Sequence, residues 1–123
     1  MLIGVLAGSI PYAAVRFRQK KKWDDALDVW AVHGIGGVVG ILALGVLATT
    51  TMNAGGADGW FYGDSSFFVK QLVGVLVAIA WAMIVTYVLL VGINMITPVR
   101  VSDEAEKEGL DSALHGEAAY GEE

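Results

Sequence analysis

Two stretches of the chain carry almost no ionisable side chains: from Val29 to Ala48 only His33 breaks the apolar run, and from Leu72 to Ile93 there is no Asp, Glu, Lys, Arg or His. A helix rises about 1.5 Å per residue, so about 20 residues cover the roughly 30 Å hydrocarbon layer of a bilayer. Both stretches therefore predict transmembrane helices, over about residues 27–49 and 69–95. Backbone N–H and C=O groups must be bonded inside a segment that faces lipid, which favours helix despite the many Val, Ile and Gly residues. The opening run, Leu2 to Val15, is apolar too, but it has 14 residues, contains Pro11 and falls short of a crossing. It reads as the truncated end of a longer span over about residues 1–15. No positive residue precedes it, which makes a signal peptide a poor alternative, and a Met1 set directly in a hydrophobic run suggests a chain taken from something larger.

Charge then gives these spans a direction. Residues 16–22, Arg-Phe-Arg-Gln-Lys-Lys-Lys, hold five of the eight basic residues, whereas residues 98–123 hold eight of the thirteen acids. Short loops rich in Lys and Arg lie on the cytoplasmic side, so residues 16–22 are expected inside. By alternation, the loop from about Thr50 to Ser66 is external and the tail after Pro98 is cytoplasmic. The expected architecture is thus an all-α integral membrane protein, with a membrane part over residues 1–97 and a cytoplasmic tail over residues 98–123. The overall composition, 55 % hydrophobic and 17 % charged over 123 residues, weighs against a soluble globule. A net charge of −5 argues against nucleic-acid binding, and the absence of Cys removes disulfides and thiol chemistry.

The segment ends carry their own signals. Asp24 or Asp25 can cap the first full span, while Asp28, further in, is costly if it faces lipid and so is expected to point into protein or a wet vestibule. In the external loop, Asn53, Gly55, Gly56, Gly59 and Gly63 surround Trp60, Phe61 and Tyr62, which reads as a connector with interfacial aromatics, ligand capture being the lesser alternative. In the tail, Ser102 is followed by Asp103 and Glu104, and Lys107 is followed by Gly109: the start and stop signals of one short helix. Beyond it the residues to Tyr120 fit disorder and partner docking equally well, with Leu110, Leu114 and Tyr120 as docking groups.

His33 is the chemical centre of the sequence. An imidazole has a reference pKa of about 6.5 and two ring nitrogens, so it can accept, donate or pass a proton. Polar groups at membrane depth mark function by default. In a regular helix Gly36, Gly37 and Gly40 fall at i+3, i+4 and i+7 from His33, leaving its face without bulk, and Val29 lies one turn earlier on the same face. Gly36-x-x-x-Gly40 is also a small-xxx-small pattern that admits a close helix. A pore-lining or proton-handling histidine is the stronger reading, a hydrogen-bonded structural histidine the weaker.

Asp25-Ala-Leu-Asp28-Val29-Trp30-Ala-Val-His33-Gly34, then the glycine-rich helix, then Arg100-Val-Ser102, Gly109-Leu110-Asp111 and His115-Gly116-Glu117-Ala-Ala-Tyr120, strongly resembles the C-terminal part of ammonium transporters of the Amt/Mep/Rh family. The resemblance covers nearly the whole chain. It implies the last three transmembrane helices of a larger bundle and the cytoplasmic tail. It implies that His33 is the second of two pore histidines, with Val29 lining the pore and Asp28 and Trp30 beside it. It implies regulatory roles in the tail for Gly109, Leu110, Asp111, His115, Gly116, Glu117 and Tyr120, and favours docking over disorder there. Implied partners are ammonium or ammonia as substrate, the lipid bilayer, the missing spans of the parent chain, further subunits of a homotrimer and a PII-type signalling protein on the cytoplasmic side. The implied location is the plasma membrane, multi-pass.

The spans that would supply the first pore histidine and the outer ammonium site are missing from this chain, so it is not expected to form the pore alone. Two functions follow: a fragment of an ammonium transporter, or an autonomous small membrane protein that packs through Gly36, Gly37 and Gly40 without transport. An enzyme is remote, since no catalytic constellation is present in the sequence; no cofactor or metal is expected either.

Overall fold

The structure, a computed structural model, describes residues Met1–Glu117. All regular elements among the described residues are helical. The chain divides into two compact units, Met1–Ala80 and the part from Trp81 onward.

The first unit opens with α1, Leu2–Lys21. The helix passes through Pro11 and on into the basic cluster, beyond the Val15 at which the apolar run ends. Pro11 lacks an N–H and removes one rung of the ladder, which a helix held by neighbours tolerates. It is the buried residue of α1. A left-handed Lys22 (φ 55°) ends the helix, with Lys22 N–H donating to the Gln19 carbonyl (3.1 Å) and Trp23 N–H to the Arg18 carbonyl (3.3 Å). This double bond pattern satisfies the last carbonyls as a glycine stop would, at some steric cost for lysine.

After a linker, a π-helical turn, Trp30–Ile35, leads directly into α2, Gly36–Leu47. Together they make one apolar helical segment of 18 residues, long enough to cross a bilayer. α1 packs against both the π turn and α2. Small residues allow the approach: Ala31 is completely buried, and a Cβ on Gly36 would sit 3.4 Å from Cγ of Pro11. Further along α2, Gly45 faces the start of the next helix, where a Cβ would lie 3.2 Å from Cα of Phe68.

The intervening loop folds back over the end of α2. Gly59 N–H donates to the Ala48 carbonyl (2.7 Å), and a Cβ on Gly59 would come within 2.7 Å of the Gly45 and Val46 carbonyl oxygens. Only glycine fits there. A short 3-10 turn, Trp60–Tyr62, precedes α3, Ser65–Asn94. Asp64 caps α3: its carboxylate accepts from Ser66 N–H (2.9 Å), Ser66 hydroxyl (2.6 Å) and Phe67 N–H (3.3 Å). The 30 residues of α3 begin before the uncharged run and include Lys70 in the opening turns.

In the second unit, α3 ends near Asn94, whose side-chain oxygen accepts from Val99 N–H (3.1 Å). Helix α4, Asp103–Glu108, starts at Ser102, whose hydroxyl accepts from Ala105 N–H (3.3 Å), and stops at Gly109 with φ 100°. Arg100 pairs with Glu106 at 3.0 Å. A second π turn, Asp111–His115, packs on α4 and ends at a left-handed Gly116 (φ 67°).

Candidate functional site

The approach to His33 is built by residues 16–30. Asp25 does the capping: its two carboxylate oxygens accept from Val29 N–H and Trp30 N–H, each at 2.9 Å. These are the leading N–H groups of the segment, which have no partner within it. Asp28 does something different. It sits in the left-handed region at φ 54°, where aspartate is tolerated better than most side chains, and turns its carboxylate to Arg18. The Arg18 Nη2 and Nε atoms both reach Oδ1 of Asp28, at 2.6 and 3.0 Å, with the arginine side chain 15 % and the aspartate 27 % exposed. Arg18 also donates to the Trp23 carbonyl (3.2 Å). Phe17, Trp23 and Trp30 form an edge-to-face ladder with centroids 5.6 and 5.5 Å apart beside this pair. The Asp28–Arg18 pair went unread in the sequence, where Arg18 looked like one cation among five.

The π turn follows at once. The Gly36 N–H reaches back to the Ala31 carbonyl, an i→i−5 bond, as well as to that of His33. A turn of this kind holds more residues than an α turn, so positions after it are rotated relative to those before it; such turns recur at functional sites. Regular helical spacing therefore does not carry across from His33 to the glycines. They divide: Gly36 lies against Pro11 of α1, whereas Gly37 and Gly40 have nothing within 4 Å of a built Cβ. His33, Val29 and Trp30 are exposed, Val29 at 50 % and Trp30 at 42 %. The chain's own packing thus leaves the imidazole uncovered, with two bare glycines following on α2.

Other residues singled out in the sequence lie elsewhere. Gly109, Leu110, Asp111, His115, Gly116 and Glu117 belong to the second unit, around α4 and the second π turn, with Leu110 and Leu114 exposed; Tyr120 lies outside the described residues. In the loop, Trp60, Phe61 and Tyr62 are exposed, and Trp60 stacks at 5.3 Å on Phe68. Sequence reading passed over Asp58, which ties the loop by accepting from Thr50 N–H (2.7 Å) and the Thr50 hydroxyl (3.1 Å). The Thr50 backbone bond holds the Asp58 carboxyl below its ordinary value, and the Ser66 hydroxyl does the same for Asp64. An Asp placed one residue before Ser65-Ser66 and an apolar run was a readable cap signal for Asp64; Asp58 had none.

Among the described residues all regular structure is helical, and two helical segments are long and apolar enough to cross a membrane, one of them carrying His33 and, further along, the open Gly37 and Gly40. Comparison gives the family: the chain matches the Ammonium Transporter Family over residues 1–120 and belongs to it. It is 43 % identical over 122 residues to the ammonium transporter of Bacillus subtilis (strain 168), covering 98 % of this chain and 30 % of that relative. Identity to ammonium transporter Amt1 of Archaeoglobus fulgidus is 42 % over 120 residues, again 98 % of this chain and 30 % of the relative. Ammonium transporter 1 of Dictyostelium discoideum is 42 % identical over 109 residues. The chain spans about 30 % of the length of the first two relatives. Membership of this family places it in a membrane, and none of these relatives supports a separate packing module without transport.

Proposed function

We propose that this chain is the C-terminal part of an ammonium or ammonia transporter and that His33 lines its pore. The observation that carries the reading is the joint one: an ammonium-transporter match over residues 1–120, and within it a lone histidine on an apolar helical segment that the chain's own contacts leave open. A neutral imidazole nitrogen accepts a hydrogen bond from the substrate or takes its proton, while the apolar surroundings disfavour hydrated competitors. Val29 and the bare glycines Gly37 and Gly40 supply wall without bulk, and Asp28 and Trp30 stand at the mouth of the segment.

The remaining spans complete the pore, and the parent assembles as a homotrimer in the plasma membrane with three of its spans in residues 1–97. The tail from residue 98 is cytoplasmic and regulatory, with Leu110 and Leu114 as exposed apolar docking groups, and a PII-type protein meets the basic cluster and tail on that side. Expression of the full-length protein in cells lacking ammonium uptake tests the proposal. Growth on scarce ammonium is expected for the native protein and lost for His33→Ala at equal membrane abundance. Undiminished growth of His33→Ala removes the assigned role of His33; no growth with the native protein removes transport.

A further inference from the structure

Arg18 is bound into the chain through its whole guanidinium. Nε and Nη2 donate to Oδ1 of Asp28, at 3.0 and 2.6 Å, and Nη1 donates to the Trp23 carbonyl at 3.2 Å. The side chain is half-buried, committed to the linker and to the residue that begins the His33 segment. What it holds is costly. Asp28 keeps a left-handed backbone (φ 54°), a conformation that persists outside glycine when the surroundings over-determine it, and such outliers gather at functional sites. A partly buried ion pair is a weak source of stability, so the strained pair calls for another use.

That use follows from where α1 touches the segment. At one end the Asp28 carbonyl accepts from Val32 N–H (2.8 Å), so the residue that Arg18 grips is the acceptor for the turn that carries His33. At the other end Gly36 lies against Pro11. Pro11 and Arg18 stand about two turns apart on α1, and His33 falls between the two points they fix. Between those points the backbone is a π turn, which differs from α geometry by one inserted residue. Passing from one form to the other rotates the residues before the turn by about 100° relative to α2. We infer that Arg18 is a positioning residue for His33: its grip on Asp28 holds the π turn in phase and keeps the imidazole facing the substrate path. The inference rests on the proposed pore role of His33.

Flux into proteoliposomes holding equal amounts of full-length protein, measured across ammonium concentrations, tests this. Arg18→Gln is expected to lower maximal flux about fivefold and to leave the half-saturating concentration near its native value, because the imidazole is misplaced and not removed. Arg18→Lys should lose nearly as much, since one ammonium group cannot serve Asp28 and the Trp23 carbonyl as the planar guanidinium does. On a His33→Ala background, Arg18→Gln should take away nothing further. Native maximal flux in Arg18→Gln overturns the inference, whatever the half-saturating concentration. Full rescue by Arg18→Lys overturns it too, leaving charge alone as the cause. So does a loss as large on the His33→Ala background, because the effect then bypasses His33. Native flux with His33→Ala alone removes the pore role and this inference with it, whereas the other failures leave that role standing. Should Arg18→Gln not fold, Arg18→Lys, alone and with His33→Ala, decides by the same readings.

Discussion

The two apolar helical segments of this chain are alike in composition and opposite in construction. The segment Trp30–Leu47 is interrupted by a π turn, capped from outside by Asp25, and crossed closely at Gly36, Gly45 and under Gly59. The helix Ser65–Asn94 runs 30 residues without a break, and from Trp81 to Asn94 every residue except Val85 is exposed. The difference suits the first segment to holding a functional side chain in place. A polar side chain at membrane depth needs a fixed backbone, and the first segment is tied by Asp25 at its start and by the Gly59 loop at its close, whereas α3 packs on the chain near its start, where Asp64 caps it and Phe68 meets Gly45. A long apolar helix with its side chains free is shaped to be covered by other helices or lipid.

Breaking the first segment's far end should have the largest effect. Gly59→Val drives a side chain into the Gly45 and Val46 carbonyls, so a loss of about 3 kcal/mol or failure to fold is expected in thermal unfolding of the full-length protein. Next comes the cap. Asp25→Ala leaves two N–H groups without their acceptor and should cost about 1–2 kcal/mol in the same assay. Arg18→Gln removes the partner of a half-buried carboxylate, and a loss of about 1 kcal/mol is expected at low salt, shrinking as salt is raised.

The loop that closes the far end should respond to acid. Asp58 and Asp64 have carboxyl groups held below the ordinary value of 3.8, chiefly by the Thr50 N–H and the Ser66 hydroxyl. Their ties are therefore complete above that value and are lost as pH falls through the lowered one, where the carboxylates take up protons. Protection over residues 49–67, that is exchange corrected for the intrinsic amide rate at each pH, should fall between pH 6 and pH 2 more than protection in mid-α3; an equal fall counts against the tie. The smallest change belongs to the second segment. Thr86→Val should leave stability and flux within about twofold, as a surface substitution away from any tie does.

The comparison also shows what a sequence carries. Apolar length found both segments, because spanning length follows from backbone rise and bilayer thickness, and Ser102 with Gly109 marked α4 because capping chemistry is local. Family membership was legible from the Asp25–Gly34 and Gly109–Tyr120 motifs taken together. The π turn was not legible: nothing in Trp-Ala-Val-His-Gly-Ile announces it, and regular spacing placed Gly36 beside His33 when it packs on Pro11. The partner of Asp28 was hidden for a similar reason, since ten residues separate it from Arg18 and the chain must turn through a left-handed Asp28 to bring them together. Long-range pairing of this kind depends on tertiary path, which local pattern does not encode.

On the proposed function, His33 on the interrupted segment handles the substrate and the continuous helix does not. Ammonium flux into proteoliposomes holding equal amounts of full-length protein tests it directly, comparing His33→Ala with Thr86→Val. A loss of about tenfold or more is expected for His33→Ala, with near-native flux for Thr86→Val. Native flux with His33→Ala, in a protein that retains its fold, would contradict it.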